Sequence, residues 1–327
     1  MSFRAILITK ANAGQKAELT TLEETELMEG DVTVDVTHSS VNFKDGLAIT
    51  GKAPIARRYP LIPGIDFAGV VRSSSHPRWK AGDHVVLNGY GVGEGHHGGF
   101  SEVARISGDW LVPVPKGWTP SDCMSAGVAG YTAMLCVMAL EEQGVKPSDG
   151  DILVTGAAGG VGTTAIVILA KLGYRVIAST GRVAEEPFLK SLGAAAVVDR
   201  NEFNGPVKPL AKPRWAGCVD SVGSVTLANV LSQMNPESTV AACGLAQGMD
   251  LPTSVAPFIL RGVRLIGINS VSTPMPRRLK VWERLVKDLD LSKLRALTTH
   301  MKLEDVPQAA ADIVAGKVKG RVVVDIR

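Results

Sequence analysis

Cysteine is scarce: four residues in 327, at 123, 136, 218 and 243, with no Cys-x-x-Cys pair among them. That spacing offers neither a zinc ribbon nor a disulfide framework and fits reduced thiols, so the cytoplasm is the expected location. Charge of one sign is lacking too. The 35 basic and 32 acidic residues leave +3, too little for the concentrated basic face of a nucleic-acid binder, so no nucleic-acid partner is expected. Low-complexity segments and internal repeats are absent. Two uncharged stretches, residues 124–140 and 152–170, are apolar enough to be mistaken for membrane spans. The second holds four glycines and three threonines and reads as strand, turn and helix, so no membrane span is expected. The opening "MSFRAILIT" enters a strand pattern at once, and no secretory leader is expected either.

What is present points to two domains, since 327 residues exceed the span of one ordinary core. The first part is rich in β signals, "FRAILIT", "DVTVDV", "DFAGVV", "HVVLNG" and "DWLVPV", separated by Gly, Pro, Ser and Asp turns. At Thr119-Pro120-Ser121-Asp122 a helix-start signal leads into a long apolar run. From Asp151 short apolar strands alternate with helical segments: "ILVTG", "YRVIAST", "AAVVD", "GCVDSV", "TVAACG" and "VRLIGIN". Six strands in that rhythm predict a doubly wound, parallel α/β sheet of Rossmann type. Helices are expected around 279–289 and 306–315, with a closing strand "GRVVVDI" that returns to the first domain. The expected division is 1–122 with 271–327 for a discontinuous β-rich catalytic domain, and 123–270 for the Rossmann domain.

The strongest local motif is "DILVTGAAGGVGTTAIVILAKLG". A β-branched strand ends at Gly156, Gly159 and Gly162 follow at steps of three, Gly160 makes a doublet, and an apolar helix begins. Glycines here allow the turn, clear side chains from an approaching pyrophosphate and leave helix N–H groups facing it. The expected ligand is a dinucleotide. After the next strand an NAD-specific protein places an acid for the ribose hydroxyl. This chain reads Ser179-Thr180-Gly181-Arg182, whose hydroxyls and guanidinium suit a 2′-phosphate, so NADPH is the expected cofactor.

A β-rich first domain, a glycine-turn domain and a return of the chain resemble the medium-chain dehydrogenase/reductase superfamily, which implies that the β-rich domain is GroES-like. Its zinc members carry a catalytic Cys, a Gly-His-Glu and a four-cysteine lobe. Here Pro63-Gly64-Ile65-Asp66 stands at the Gly-His-Glu place and no cysteine precedes Cys123, so no metal is expected. "VNFKDGLAITGK", "YPLIPGIDFAGVV", "AGYTAML", "STGR", "CGLA", "PFILRGV" and "VKGRVVV" make the whole chain similar to the NADPH-dependent acrylyl-CoA reductase family. The resemblance implies reduction of acryloyl-CoA to propanoyl-CoA by a cytosolic homodimer. It also implies cofactor contacts at Phe43, Gly159, Gly160, Val161, Gly162, Ser179, Thr180, Arg182, Arg200, Leu245, Ile259 and Ser270. The family commonly has Tyr where this chain has Phe43, which removes a hydroxyl.

Hydride addition to an unsaturated thioester builds negative charge on its oxygen and then requires a proton at Cα. Asn42 is the candidate electrophilic helper or partner of the cofactor's amide, or equally a residue satisfying turn backbone. Tyr90 is the candidate proton donor, with water, His96 or His97 as alternatives. Lys44 is a candidate to hold a phosphate or a carboxylate, with a local ion pair to Asp45 as the plainer expectation. Asp45 and Asp66 donate protons at neutral pH only if strongly desolvated. Arg57 and Arg58 are candidate contacts for coenzyme A phosphates, and "VRLIGIN" is the candidate edge between subunits. A quinone or enone reductase, and a non-catalytic NADPH-binding protein, are the competing readings.

Overall fold

The computed structural model describes residues 1–11 and 14–327. In chain order come β1 (Ser2–Ala11), β2 (Gly14–Glu23), β3 (Val32–Ser40), α1 (Phe43–Thr50), β4 (Asp66–Ser74), β5 (His84–Asn88), β6 (Val103–Ile106) and β7 (Val112–Pro113). Helix α2 (Pro120–Glu142) leads to β8 (Asp151–Val154), α3 (Gly160–Lys171), β9 (Arg175–Thr180), α4 (Glu186–Leu192), β10 (Ala194–Asp199) and β11 (Trp215–Asp220). Then follow α5 (Ser224–Ser232), β12 (Met234–Ala242), α6 (Ala256–Arg261), β13 (Arg264–Gly267), α7 (Met275–Asp288), α8 (Leu291–Ala296), β14 (Thr298–Lys302), α9 (Val306–Val314) and β15 (Arg321–Asp325).

The chain forms two compact units: Met1–Val128 with Val271–Val286 and Leu294–Arg327, and Ala129–Ser270 with Lys287–Lys293. In the first, β1 and β2 form an antiparallel hairpin, and a seven-stranded sheet runs β14-β15-β3-β4-β5-β7, with β6 also on β3. Only β14 and β15 pair parallel in that sheet. Alternation of Val32, Val34 and Val36 turns one face of β3 onto a core with Ile6, Ile8, Phe67, Leu87, Phe100, Ile106 and Val324. Full burial of one such side chain is worth roughly 1.5–3 kcal/mol, so this core holds the sheet that presents the polar residues of the site.

The second unit is a six-stranded parallel sheet in the order β10-β9-β8-β11-β12-β13. This is the doubly wound Rossmann order, reversing direction beside β8, where a ligand crevice forms at the strands' carboxyl ends. Every residue of β11 is buried, as a central parallel strand covered on both faces requires.

Several local features depart from the sequence reading. Residues 43–50 form helix α1, which is not among the helices that the sequence predicts. The Asp45 carboxylate accepts from Asn42 N–H at 2.9 Å, and Gly51 ends the helix in the left-handed conformation with φ 68°, so capping chemistry outweighs the short apolar alternation. Strands β2 and β14, both largely exposed, and the short helix α8 carry no apolar pattern that predicts them.

Helix α2 starts at its Thr119–Asp122 cap, where Asp122 accepts from Thr119 N and Oγ1. It is long and apolar enough to cross a membrane by length and composition, yet its apolar window is entirely buried. Its helical path breaks at Gly127, φ 53°. The unit boundary follows that break at 128/129, not 122/123, because Val128 N–H donates to Asp66 in the first unit. Residues 287–293 group with the second unit: Lys171 Nζ binds the Lys287 and Leu289 carbonyls, and Lys293 Nζ binds that of Leu192.

Candidate active site

In the second unit the strand β8 runs into the glycine turn as the spacing predicts. Gly156 takes φ 59°. A Cβ on Gly162 would collide with the Gly156 carbonyl, and one on Gly159 would stand 3.3 Å from the same oxygen. Gly162 therefore sits where the turn is too tight for a side chain, and Gly159 where there is little room for one. Gly159, Gly160, Val161 and Gly162 thereby form the start of α3, whose first N–H groups lack helical partners and suit an anionic diphosphate. Ala157 N–H donates to Ser179 O at 3.0 Å, tying the turn to the end of β9.

The residues after β9 gather around this turn. Thr180 Oγ1 accepts from Arg182 N–H at 3.0 Å, and Arg182 Nη2 reaches Ala158 O at 3.4 Å. Its Nε lies 3.3 Å from Glu185 Oε2. Arg200 runs directly over Gly181: a Cβ there would sit 2.5 Å from Arg200 Nε. Arg200 has no carboxylate partner among the described residues. Two guanidiniums thus stand at the turn that follows Ser179 and Thr180, and Glu185 pairs with that of Arg182. This fits a dinucleotide bearing a 2′-phosphate, with a cradle empty of side chains for its diphosphate. Leu245 is half-exposed beside Gly244, which packs on Ser221, itself against Gly156. Ile259, exposed on α6, and Ser270 lie toward the far edge of the sheet, beyond β11 and β12 from β8.

The first unit holds a feature that sequence reasoning missed. Ser40, Asn42, Asp45, Asp66 and Arg321 are all buried and form one polar knot. Ser40 Oγ lies 2.8 Å from both Asp66 oxygens and gives them its one proton. Asp66 also accepts from Ser40 N–H, Asn42 Nδ2 and Val128 N–H. Arg321 donates to Ser40 Oγ at 2.8 Å, Asn42 Oδ1 at 3.1 Å and Ser125 O at 2.9 Å. Gly127 faces this knot so closely that a Cβ would clash with Arg321 Nη2 and stand 2.7 Å from Ser40 Oγ.

Burial, then the neighbouring Asp66 charge, pushes Asp45 up to about 7, against hydrogen bonds from Asn42 and Ile65. Burial raises Asp66 as well, opposed chiefly by the Arg321 charge, and burial lowers Arg321. Two carboxyls share one guanidinium, so the knot balances when Asp45 carries a proton. The desolvation that the sequence left open is present in full.

These contacts define the surroundings of several candidates. The Asn42 amide donates to Ser40 O, Ser40 Oγ and Asp66, and its oxygen accepts from Arg321. Its amide hydrogens are engaged inside the knot, which fits the reading of Asn42 as a residue that holds local backbone better than an electrophilic one. Asn42 fixes the chain just ahead of Phe43, whose ring is 39% exposed. Tyr90 adopts φ 54°, stacks on Trp110 at 5.8 Å with Arg278 Cζ 4.3 Å above the ring, and points its hydroxyl at Thr273 O, 3.4 Å away. His97 Nδ1 accepts from Ile62 N–H, and burial with the His96 and Arg58 charges lowers it to about 4, so it stays neutral and is a poor proton donor. Lys44 pairs with Glu94 at 2.9 Å and not with Asp45, whose oxygens face backbone N–H groups. Arg57 joins the same Glu94 at 3.4 Å, while Arg58 is exposed.

Comparison with known proteins fits this geometry. The model described as zinc-binding dehydrogenase matches residues 160–287, and that of the alcohol dehydrogenase GroES-like domain matches 28–116. Among the described residues no group of three or more His, Cys, Asp or Glu is placed to hold a metal ion, so the donor set here does not fit zinc. Acrylyl-CoA reductase AcuI of Ruegeria pomeroyi is 51% identical over 327 residues, spanning 99% of each chain. The crystal structure of E. coli K-12 YhdH with bound NADPH is 53% identical, covers 99% of this chain and 100% of that one, and superposes with a TM-score of 0.97. Bacillus subtilis yhfP with NAD bound is 42% identical over the full length of both chains, with a TM-score of 0.95. The chain belongs to the medium-chain dehydrogenase/reductase family and, within it, stands with the acrylyl-CoA reductases.

Proposed function

We propose that this protein reduces the C=C bond of acryloyl-CoA to give propanoyl-CoA, with NADPH as reductant. The observation that carries the reading is full-length identity of 51% to an acrylyl-CoA reductase. The arginines after β9 favour the phosphorylated cofactor. When bound, NADPH supplies the hydride. The N–H groups of Gly159 to Gly162 hold its diphosphate, and Ser179, Thr180, Arg182 and Arg200 hold its 2′-phosphate. Phe43, Leu245, Ile259 and Ser270 supply the remaining contacts, the first three with apolar surface left exposed. Asn42 holds the backbone ahead of Phe43 in one conformation. Tyr90 stands as proton donor to Cα beside water, and Arg57 and Arg58 meet the substrate's phosphates.

The same reading makes the protein a cytoplasmic homodimer. Its four cysteines are free and three are buried, which suits a reducing compartment. Edge strand β13 has one unpaired side, and Val255, Ile259 and Leu260 stand exposed on the segment that feeds it; a second copy would cover both. Light scattering that gives one chain per particle at working concentration rules the dimer out.

The reaction is tested by NADPH oxidation with acryloyl-CoA, crotonyl-CoA and a quinone offered separately. Acryloyl-CoA is expected to give the highest kcat/KM. A quinone turned over faster than either thioester overturns the assignment.

A further inference from the structure

Between Asp45 and Asp66 the sequence holds no acidic residue, yet it holds Lys52, Arg57 and Arg58. All three are exposed, and neither Lys52 nor Arg58 has an ion-pair partner among the described residues. Gln15 closes this segment at both ends. Its Nε2 donates to Ile49 O at 3.0 Å, its Oε1 accepts from Tyr59 Oη at 2.9 Å, and Gly51 packs on the same amide. Residues 51–59 therefore form a basic loop whose ends are held together.

Glu94 fastens the loop from the other side. Its carbonyl accepts Arg57 N–H at 2.8 Å, and its carboxylate, only 7% exposed, binds Lys44 Nζ and Arg57 Nη2. The tight turn that presents Glu94 depends on Gly91 and Gly93 at φ 75° and 74°. Lys44 and Arg57 thus share a single carboxylate that is turned away from water, Lys52 and Arg58 add two cations with no ion-pair partner among the described residues, and the outward excess is positive. Lys44 is also the residue after Phe43, so the patch begins at the proposed reaction centre's own helix.

We propose that this loop and Lys44 anchor the phosphorylated nucleotide end of the coenzyme A thioester, and that Glu94 is a positioning residue presetting Lys44 and Arg57 for it. The inference rests on the substrate class proposed above. Preset cations lose less side-chain freedom on meeting a phosphate than free ones do, so a carboxylate at their base strengthens the clamp while leaving it net positive.

The test is a calorimetric titration of the full-length protein, saturated with NADP+, with propanoyl-CoA, propanoyl-dephospho-CoA and propanoyl-pantetheine. The wild type is expected to bind propanoyl-CoA about tenfold or more tightly over propanoyl-pantetheine, with the dephospho compound between. Lys44→Ala and Arg58→Ala should carry that ratio toward one, and Glu94→Gln should lower it in part. Arg58 has no partner to lose, so its variant reads the anchor even if Lys44→Ala melts early. No preference in the wild type, or variants that weaken all three ligands equally, overturns the anchor. Loss of the ratio in the variants of a protein that leaves acryloyl-CoA unreduced supports the anchor and sinks the reaction instead.

Discussion

The two units solve the problem of holding a reactive site in opposite ways. The cofactor turn of the second is built from absence: glycines at 156, 159 and 162 let backbone groups crowd together, and the charged side chains stand at its rim. The knot of the first is built from buried charge, with Asp45, Asp66 and Arg321 taken wholly out of water. A backbone cradle needs only local chain geometry. A charge knot depends on every partner, because removing one leaves another ionised and unpaired.

The sharpest way to break this contrast is Arg321→Met. It leaves two carboxyls without their cation and is expected to cost about 3–5 kcal/mol of unfolding free energy, measured by urea titration. A loss no larger than that of an exposed arginine would mean that the knot carries no charge.

Asp45 offers the next largest effect. Its folded value of about 7 lies above the ordinary 3.8, so its contribution is full below the ordinary value and is lost as pH rises through about 7. The span corresponds to roughly 4 kcal/mol. Stability followed from pH 4 to 8 should fall with rising pH in the wild type, and Asp45→Asn should flatten that fall; parallel curves for the two proteins would refute the assignment.

In the second unit, Arg182→Ala should weaken NADPH binding by about 10–100-fold while leaving NADH nearly untouched, read by fluorescence titration. Equal losses for both cofactors would remove the 2′-phosphate from this arginine. The smallest effect is expected at Glu237, which holds φ 57°, a conformation that suits glycine. Glu237→Gly should stabilise by about 1 kcal/mol, less what its exposed pair with Arg264 supplies, and a melting curve decides the sign.

The same contrast explains what could be read in advance. The glycine turn spans seven residues, and the strands around it are continuous apolar runs, so local spacing suffices to predict the sheet. The 2′-phosphate residues lie together after one strand, and Arg182 is legible for that reason. Arg200 meets Gly181 only through the fold and enters by resemblance alone. The knot joins Asn42 to Asp66 across 24 residues and Arg321 to Ser40 across 281, and no local pattern encodes such a meeting. For the same reason the sequence leaves Asn42 open between a chemical group and a fastening, and only the structure's contacts favour the fastening. Lys44 offers Asp45 as a neighbour in sequence, while the helix turns that aspartate inward and leaves the lysine to Glu94. Helix α1 itself was within reach: Asn42 and Asp45 flank a first turn, and Gly51 ends the last.

Strand β15 carries Arg321 and pairs with β3, although residues 129–293 lie between the two main parts of its unit. On the ribosome, the cofactor unit is therefore synthesised whole before the first unit receives its only knot cation. Asp45 and Asp66 emerge early and must stay hydrated, or protonated, until Arg321 arrives. The dinucleotide unit can fold as the chain grows, and the first unit closes afterwards, in the reverse of the order in which their first residues are made.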